Sequence, residues 1–129
     1  MKPVTKITFL DPNKEKFFGD GPARLLRGIE ETGSLRSAAM SMEMAYTKAL
    51  KILKNAETAL GFPLTTRTIG GKSGGGSQLT PEARTFLAQY DAYVAACTQA
   101  NRQLFPSSSP RWSVSSWRPV WASGLAAIS

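Results

Sequence analysis

The chain has no histidine and a single cysteine, Cys97, among its 129 residues. Without imidazole the usual hydrolytic triads and nearly every zinc site are excluded, and one thiol allows neither an internal disulfide nor a multi-cysteine metal cluster. Acidic side chains are also scarce, nine Asp and Glu against 16 Lys and Arg. They are scattered among basic neighbours, with no acid–base pair and no nucleophile beside an activator, so the chain reads as a non-enzyme. No apolar run reaches the ~18 residues of a membrane-spanning helix. The opening MKPVTKITFLDPNKEK lacks the long apolar stretch and small-residue cleavage site of a secretory signal. The expectation is a cytoplasmic protein with no membrane partner, no cofactor and no metal.

What is present is positive charge, +7 in all, which suits a polyanionic partner without specifying a sequence. Its placement is more informative than its size. From Arg36 to Lys72 there are six basic residues (Arg36, Lys48, Lys51, Lys54, Arg67, Lys72) and two acidic ones, Glu43 and Glu57.

A chain of this length has room for one ordinary core. Residues 4–10, VTKITFL, alternate imperfectly and predict a short edge strand, closed by an Asp11-Pro12-Asn13 turn. Gly21-Pro22 opens a helix whose stripe is Leu25, Leu26 and Ile29, and Gly33 suits a left-handed cap. Ser34 is a good N-cap for a short second helix with Leu35, Ala38 and Ala39. After a turn at Met42 to Met44, a third helix from about Ala45 to Leu60 has Tyr46, Ala49, Leu50, Leu53, Ala56 and Leu60 on a buried face. Thr47, Lys48, Lys51, Lys54, Asn55 and Thr58 fall on the exposed one. Gly61 and Pro63 end it. Leu64–Ile69 and Ser77–Thr80 predict two strands around a Gly70–Gly76 loop, and Thr80-Pro81 starts a long final helix. The expected fold is mostly α with a small β-wing: a winged helix-turn-helix over residues 1–80 and a long C-terminal dimerisation helix over 81–105. Residues 106–129, rich in serine and holding all three tryptophans, predict a disordered tail.

A helix-turn-helix lays the start of its second helix against base edges in the major groove. Here Ala45, Tyr46, Thr47 and Lys48 are the candidates. Thr47 and Lys48 can hydrogen-bond bases and Ala45 can touch a thymine methyl, whereas Lys51 and Lys54, further along, suit phosphates. Tyr46 could equally belong to the core. The wing adds Arg67 on its rising strand, with Lys72 and Ser73 at a glycine-stripped tip that can approach a phosphate or a minor groove. A nucleotide-binding P-loop is a poor fit, because GGKSGGG lacks the spaced upstream glycine and the following helix.

On the last helix Phe86, Tyr90, Tyr93, Cys97, Ala100 and Leu104 recur at spacings of 4, 3, 4, 3 and 4. That is the rhythm of a paired helix, and a dimer seam is the expectation, although the same stripe could pack on the chain's own core. On such a seam Cys97 could pair with its symmetry mate under oxidation, but a reduced thiol is the simpler reading.

Residues 19–105 resemble the N-terminal DNA-binding domain of the ModE-type molybdate-dependent regulators, which share a winged helix with the LysR-type family. The resemblance rests on TGSLRSAA at the opening of the motif, AYTKALKIL in the reader, and TRTIGGKSGGGSQLT in the wing, followed by a helix with Gln89-Tyr90-Asp91. It implies a homodimer joined through the terminal helices and docked on a palindromic double-stranded operator. It further implies that Arg36, Ser37, Ala45, Tyr46, Thr47, Lys48, Lys51, Arg67, Lys72 and Ser73 lie at or near DNA. Two departures limit the transfer. The oxyanion-binding domains that follow the long helix in full-length members have only the short tail in their place here, and Leu50 stands where members commonly have a tryptophan. The alternative function is a protein-interaction module that pairs with a full-length regulator or an acidic partner.

Overall fold

The structure, a computed structural model, describes residues 3–68 and 76–105. Strands β1 (Phe9–Leu10) and β2 (Lys16–Phe18) form an antiparallel pair ahead of helices α1 (Asp20–Thr32), α2 (Leu35–Ser41) and α3 (Tyr46–Leu60). A second antiparallel pair, β3 (Thr65–Thr68) and β4 (Gly76–Leu79), precedes the long helix α4 (Pro81–Leu104). The architecture is a winged helix, mostly α with a small β-wing.

The first strand is shorter than its sequence pattern suggested. Only Phe9 and Leu10 pair, against Phe18 and Lys16, because only residues 16–18 return alongside them. The Asp11 carboxylate accepts the amides of Asn13 and Glu15, both at 2.9 Å, and closes the turn. Upstream, Thr5 accepts a hydrogen bond from the Asn101 side chain, so the N-terminal segment lies along α4. Helix α1 begins two residues before Pro22, with Gly19 as its cap. Pro22 therefore stands third in the first turn, where its missing N–H is again no loss.

Small residues set how closely the helices approach. A Cβ added at Gly28 of α1 would come within 2.9 Å of the Ala38 Cβ on α2. Ala38, Ala39, Ala49 and Ala56 are all buried where α2 and α3 close on the core. Gly33 ends α1 at φ 73°, its amide bonded to the Ile29 carbonyl. Between α2 and α3 the turn is tight, with the Met44 amide on the Ala39 carbonyl at 2.9 Å and Glu43 at φ 54°.

The centre of the core is Phe18, Leu25, Leu26, Ile29 and Leu64. Phe18 meets Phe86 and Tyr90 of α4 edge-on, with ring centroids 4.7 and 5.1 Å away. Phe9 joins the cluster, 5.9 Å from Tyr90 and 6.2 Å from Tyr93. Thr80 caps α4 by accepting the Ala83 amide at 3.0 Å and donates its hydroxyl to the Pro63 carbonyl at 2.7 Å. The Arg27–Asp91 pair also joins α1 to α4, while Arg84 and Glu30, 3.8 Å apart and half-exposed, add little. These bonds seat α4 across the back of the helix-turn-helix.

Candidate nucleic-acid interface

Helix α3 turns its buried face, Ala49, Leu53 and Ala56, onto the core. Helical geometry of about 100° per residue gathers Thr47, Lys48, Lys51, Lys54, Asn55 and Thr58 within an arc of roughly 120° on the opposite side. All six are exposed. Lys48, Lys51 and Lys54 climb that arc in steps of about 4.5 Å along the axis. Ala45 stands exposed at the N-cap in extended conformation, so the amides of the first turn point past it with no side-chain cap. A helix start of this kind favours negative charge.

Tyr46 departs from the sequence reading that set it on the buried face: it is 39 % exposed. It lies on the core side of the helix, but in the first turn no further layer of core covers it. The Arg36 guanidinium of α2 lies over its ring instead, 4.6 Å from the centroid. Arg36 and the start of α3 are thereby brought together across the helix-turn-helix, a pairing between residues ten apart that no helical or strand period signals. Ser37 is exposed on the same first turn of α2, its amide bonded to the Ser34 hydroxyl at 3.1 Å.

Arg67 is exposed in the middle of β3. Lys72 and Ser73, expected at the wing tip, lie outside the described residues, as does the 106–129 tail. The base of the wing is described, and it shows a glycine acting in a way the sequence did not reveal. A Cβ on Gly76 would sit 2.4 Å from the Gly33 carbonyl oxygen, and the adjacent Ser77 amide donates to that oxygen at 2.8 Å. Gly76 thus lets the returning strand touch the end of α1, which fixes the wing's root relative to the helix-turn-helix. The signal was present as a glycine run, but nothing in it distinguished this glycine from those of the tip.

Two acidic residues accompany the basic ones. Glu57 turns away from the surface and accepts the Leu64 amide at 2.7 Å, bracing the link from α3 to β3. Glu43 stays exposed in the turn. Among the described residues, the ion pairs are Arg27–Asp91 and Arg84–Glu30, and neither involves Arg36, Lys48, Lys51, Lys54 or Arg67. No group of three or more acidic or thiol ligands that could hold a metal occurs among the described residues, and no helix there is long and apolar enough to cross a membrane.

The stripe on α4 divides. Tyr90 is buried and Phe86 half-buried, both against Phe18 and Phe9 of the same chain, so this end packs inward. Tyr93, Ala100 and Leu104 are exposed further along, with Cys97 half-buried beside them. The part of the stripe left exposed is therefore the later part of the helix.

No family profile matches the chain. It is similar to several curated proteins over half to three quarters of its length. Against the transcriptional regulator ModE of Haemophilus influenzae it is 35 % identical over 88 residues, 68 % of this chain and 31 % of that protein. Against the molybdenum transport protein ModE of Azotobacter vinelandii it is 35 % identical over 83 residues, 64 % of this chain and 31 % of that one. The molybdenum-pterin-binding protein MopB of Rhodobacter capsulatus is 37 % identical over 71 residues, 55 % of this chain and 26 % of that protein. The chain spans about a third of the length of these relatives.

Proposed function

We propose, for a chain whose winged helix is of the ModE type, a DNA-binding transcriptional regulator of genes linked to molybdenum, acting as a homodimer on a palindromic operator. The observation that carries this reading is the exposed arc of α3. It holds three lysines without an acidic partner among the described residues, beside an uncapped helix start and a wing whose root is fixed against α1. In this reading Lys51, Lys54 and Arg67 neutralise phosphates, joined by Lys72 and Ser73 at the wing tip, while Thr47 and Lys48 meet base edges. Two copies joined through the exposed part of α4, from Tyr93 to Leu104, present two such arcs to the two half-sites.

The test is duplex binding as a function of salt. Lys51, Lys54 and Arg67 alone make about six phosphate contacts per dimer, which gives a slope of roughly −5 or steeper in log affinity against log salt. Lys51→Ala should weaken binding to all sequences alike and flatten that slope by about one per subunit. Thr47→Ala should instead change which sequences are preferred. Affinity that is indifferent to salt, or absent for fragments of the source genome, overturns the reading. Capture of an acidic protein partner under those same conditions would establish the interaction-module alternative in its place.

A further inference from the structure

Among the described residues, the one cationic group of this surface that is held by a second side chain is Arg36. It leaves the first turn of α2 and lays its guanidinium over the Tyr46 ring at the first turn of α3, 4.6 Å from the centroid. Where a guanidinium lies flat on a ring, the ring covers its face and leaves its N–H edge free for a further partner. No hydrogen bond or ion pair engages that edge among the described residues.

Resting on the regulator reading above, we infer that Arg36, oriented by Tyr46, reads a guanine in each half-site, with Tyr46 as its positioning residue. Two neighbouring helix starts converge here, and in a helix-turn-helix that is the point nearest the base edges. A guanine offers O6 and N7 side by side in the major groove, and a planar fork meets both only when it lies in the plane of the base pair. A phosphate imposes no such plane. It is equally served by the lysines at 51 and 54, which have no stacking partner among the described residues. Restricting Arg36 to one plane is therefore useful for a base and superfluous for a phosphate. The tyrosine hydroxyl has no part in the stack, so phenylalanine at position 46 should serve as well.

The experiment is selection of bound duplexes from a random pool by the full chain, followed by affinity measurement on the selected site and on a copy with each base replaced in turn. Five proteins are compared: wild type, Arg36→Ala, Tyr46→Phe, Tyr46→Ala and the double variant Arg36→Ala/Tyr46→Ala, each checked for unchanged helical circular dichroism. Wild type should prefer guanine at one position per half-site by about tenfold or more. Arg36→Ala should lose that preference while keeping the others. Tyr46→Phe should keep it, and Tyr46→Ala should lose most of it, with no further loss of guanine preference in the double variant. Uniformly weakened binding with unchanged base preferences in Arg36→Ala places the guanidinium on a phosphate and overturns the inference. Full guanine preference in Tyr46→Ala overturns the positioning role. Failure of wild type to bind any duplex overturns the regulator reading itself, whereas specific wild-type binding with an indifferent Arg36 overturns the guanine contact alone.

Discussion

Gly76→Ala tests how the wing is attached. The new methyl carbon would lie 2.4 Å from the Gly33 carbonyl oxygen and 3.1 Å from the Thr68 hydroxyl. A carbon and a carbonyl oxygen normally stand no closer than about 3.3 Å, so β4 must retreat by about 0.9 Å or the cap of α1 must yield. Either movement stretches the neighbouring 2.8 Å bond from Ser77 to Gly33 past the ~3.2 Å limit of a good N–H···O bond. Overpacking of this kind costs about 1–3 kcal/mol, and the lost hydrogen bond about 1 kcal/mol more. The stiffer unfolded chain offsets about 0.4–1 kcal/mol. The net loss is about 2 kcal/mol, which lowers Tm by on the order of 10 °C in a domain of this size.

Urea unfolding followed by far-ultraviolet circular dichroism, at fixed protein concentration, measures that loss. Amide exchange at Ser77 reports the bond itself. Gly33→Ala is the contrast. Nothing stands within 4 Å of its added carbon, and its cost arises only from φ 73°, about 1–2 kcal/mol. A Gly76→Ala protein as stable as wild type, with the Ser77 amide still protected, would refute the close approach and with it the fixed wing root.

Three further outcomes are expected. Glu43 holds φ 54° in the turn between α2 and α3; Glu43→Gly should therefore raise stability by about 0.5–1 kcal/mol, the relief of left-handed strain less the added freedom of the unfolded chain. A lower urea midpoint would contradict it. Thr80→Val removes both the cap on the Ala83 amide and the bond to the Pro63 carbonyl, a loss of about 2 kcal/mol in the same assay, while Thr80→Ser should retain most of it. Burial first, then the Asp20 charge, raises the Tyr90 phenol above its ordinary value, with Arg27 opposing and Asp91 adding. The folded state thus holds that proton to higher pH than the unfolded state. The contribution is intact below about pH 10 and lost as pH rises through the folded value. Tyr90→Phe should show a shallower alkaline loss of stability than wild type; identical slopes would rule the group out.

Much of the fold was legible because its signals are local. Gly33 and Gly61 mark left-handed helix ends, Ser34 and Thr80 are caps, and the exposed lysines of α3 follow from a single period. What is local in sequence is decided by backbone dihedrals and by the geometry of one helix. The short strand at Lys16–Phe18 was not legible, because its pairing depends on a partner across a turn and on Phe18 finding Phe86 and Tyr90 some seventy residues later.

The candidate site divides along the same line. Its basic character, the exposed face of α3 and the glycine run between β3 and β4 were set by composition and spacing. Tertiary structure alone decided three things: that Tyr46 leaves the core to carry Arg36, that Gly76 makes room for the end of α1, and that half of the α4 stripe is used within the chain. Each depends on the distance between elements far apart in sequence, and that distance is set by how small and large side chains fill one shared core, which no single segment encodes.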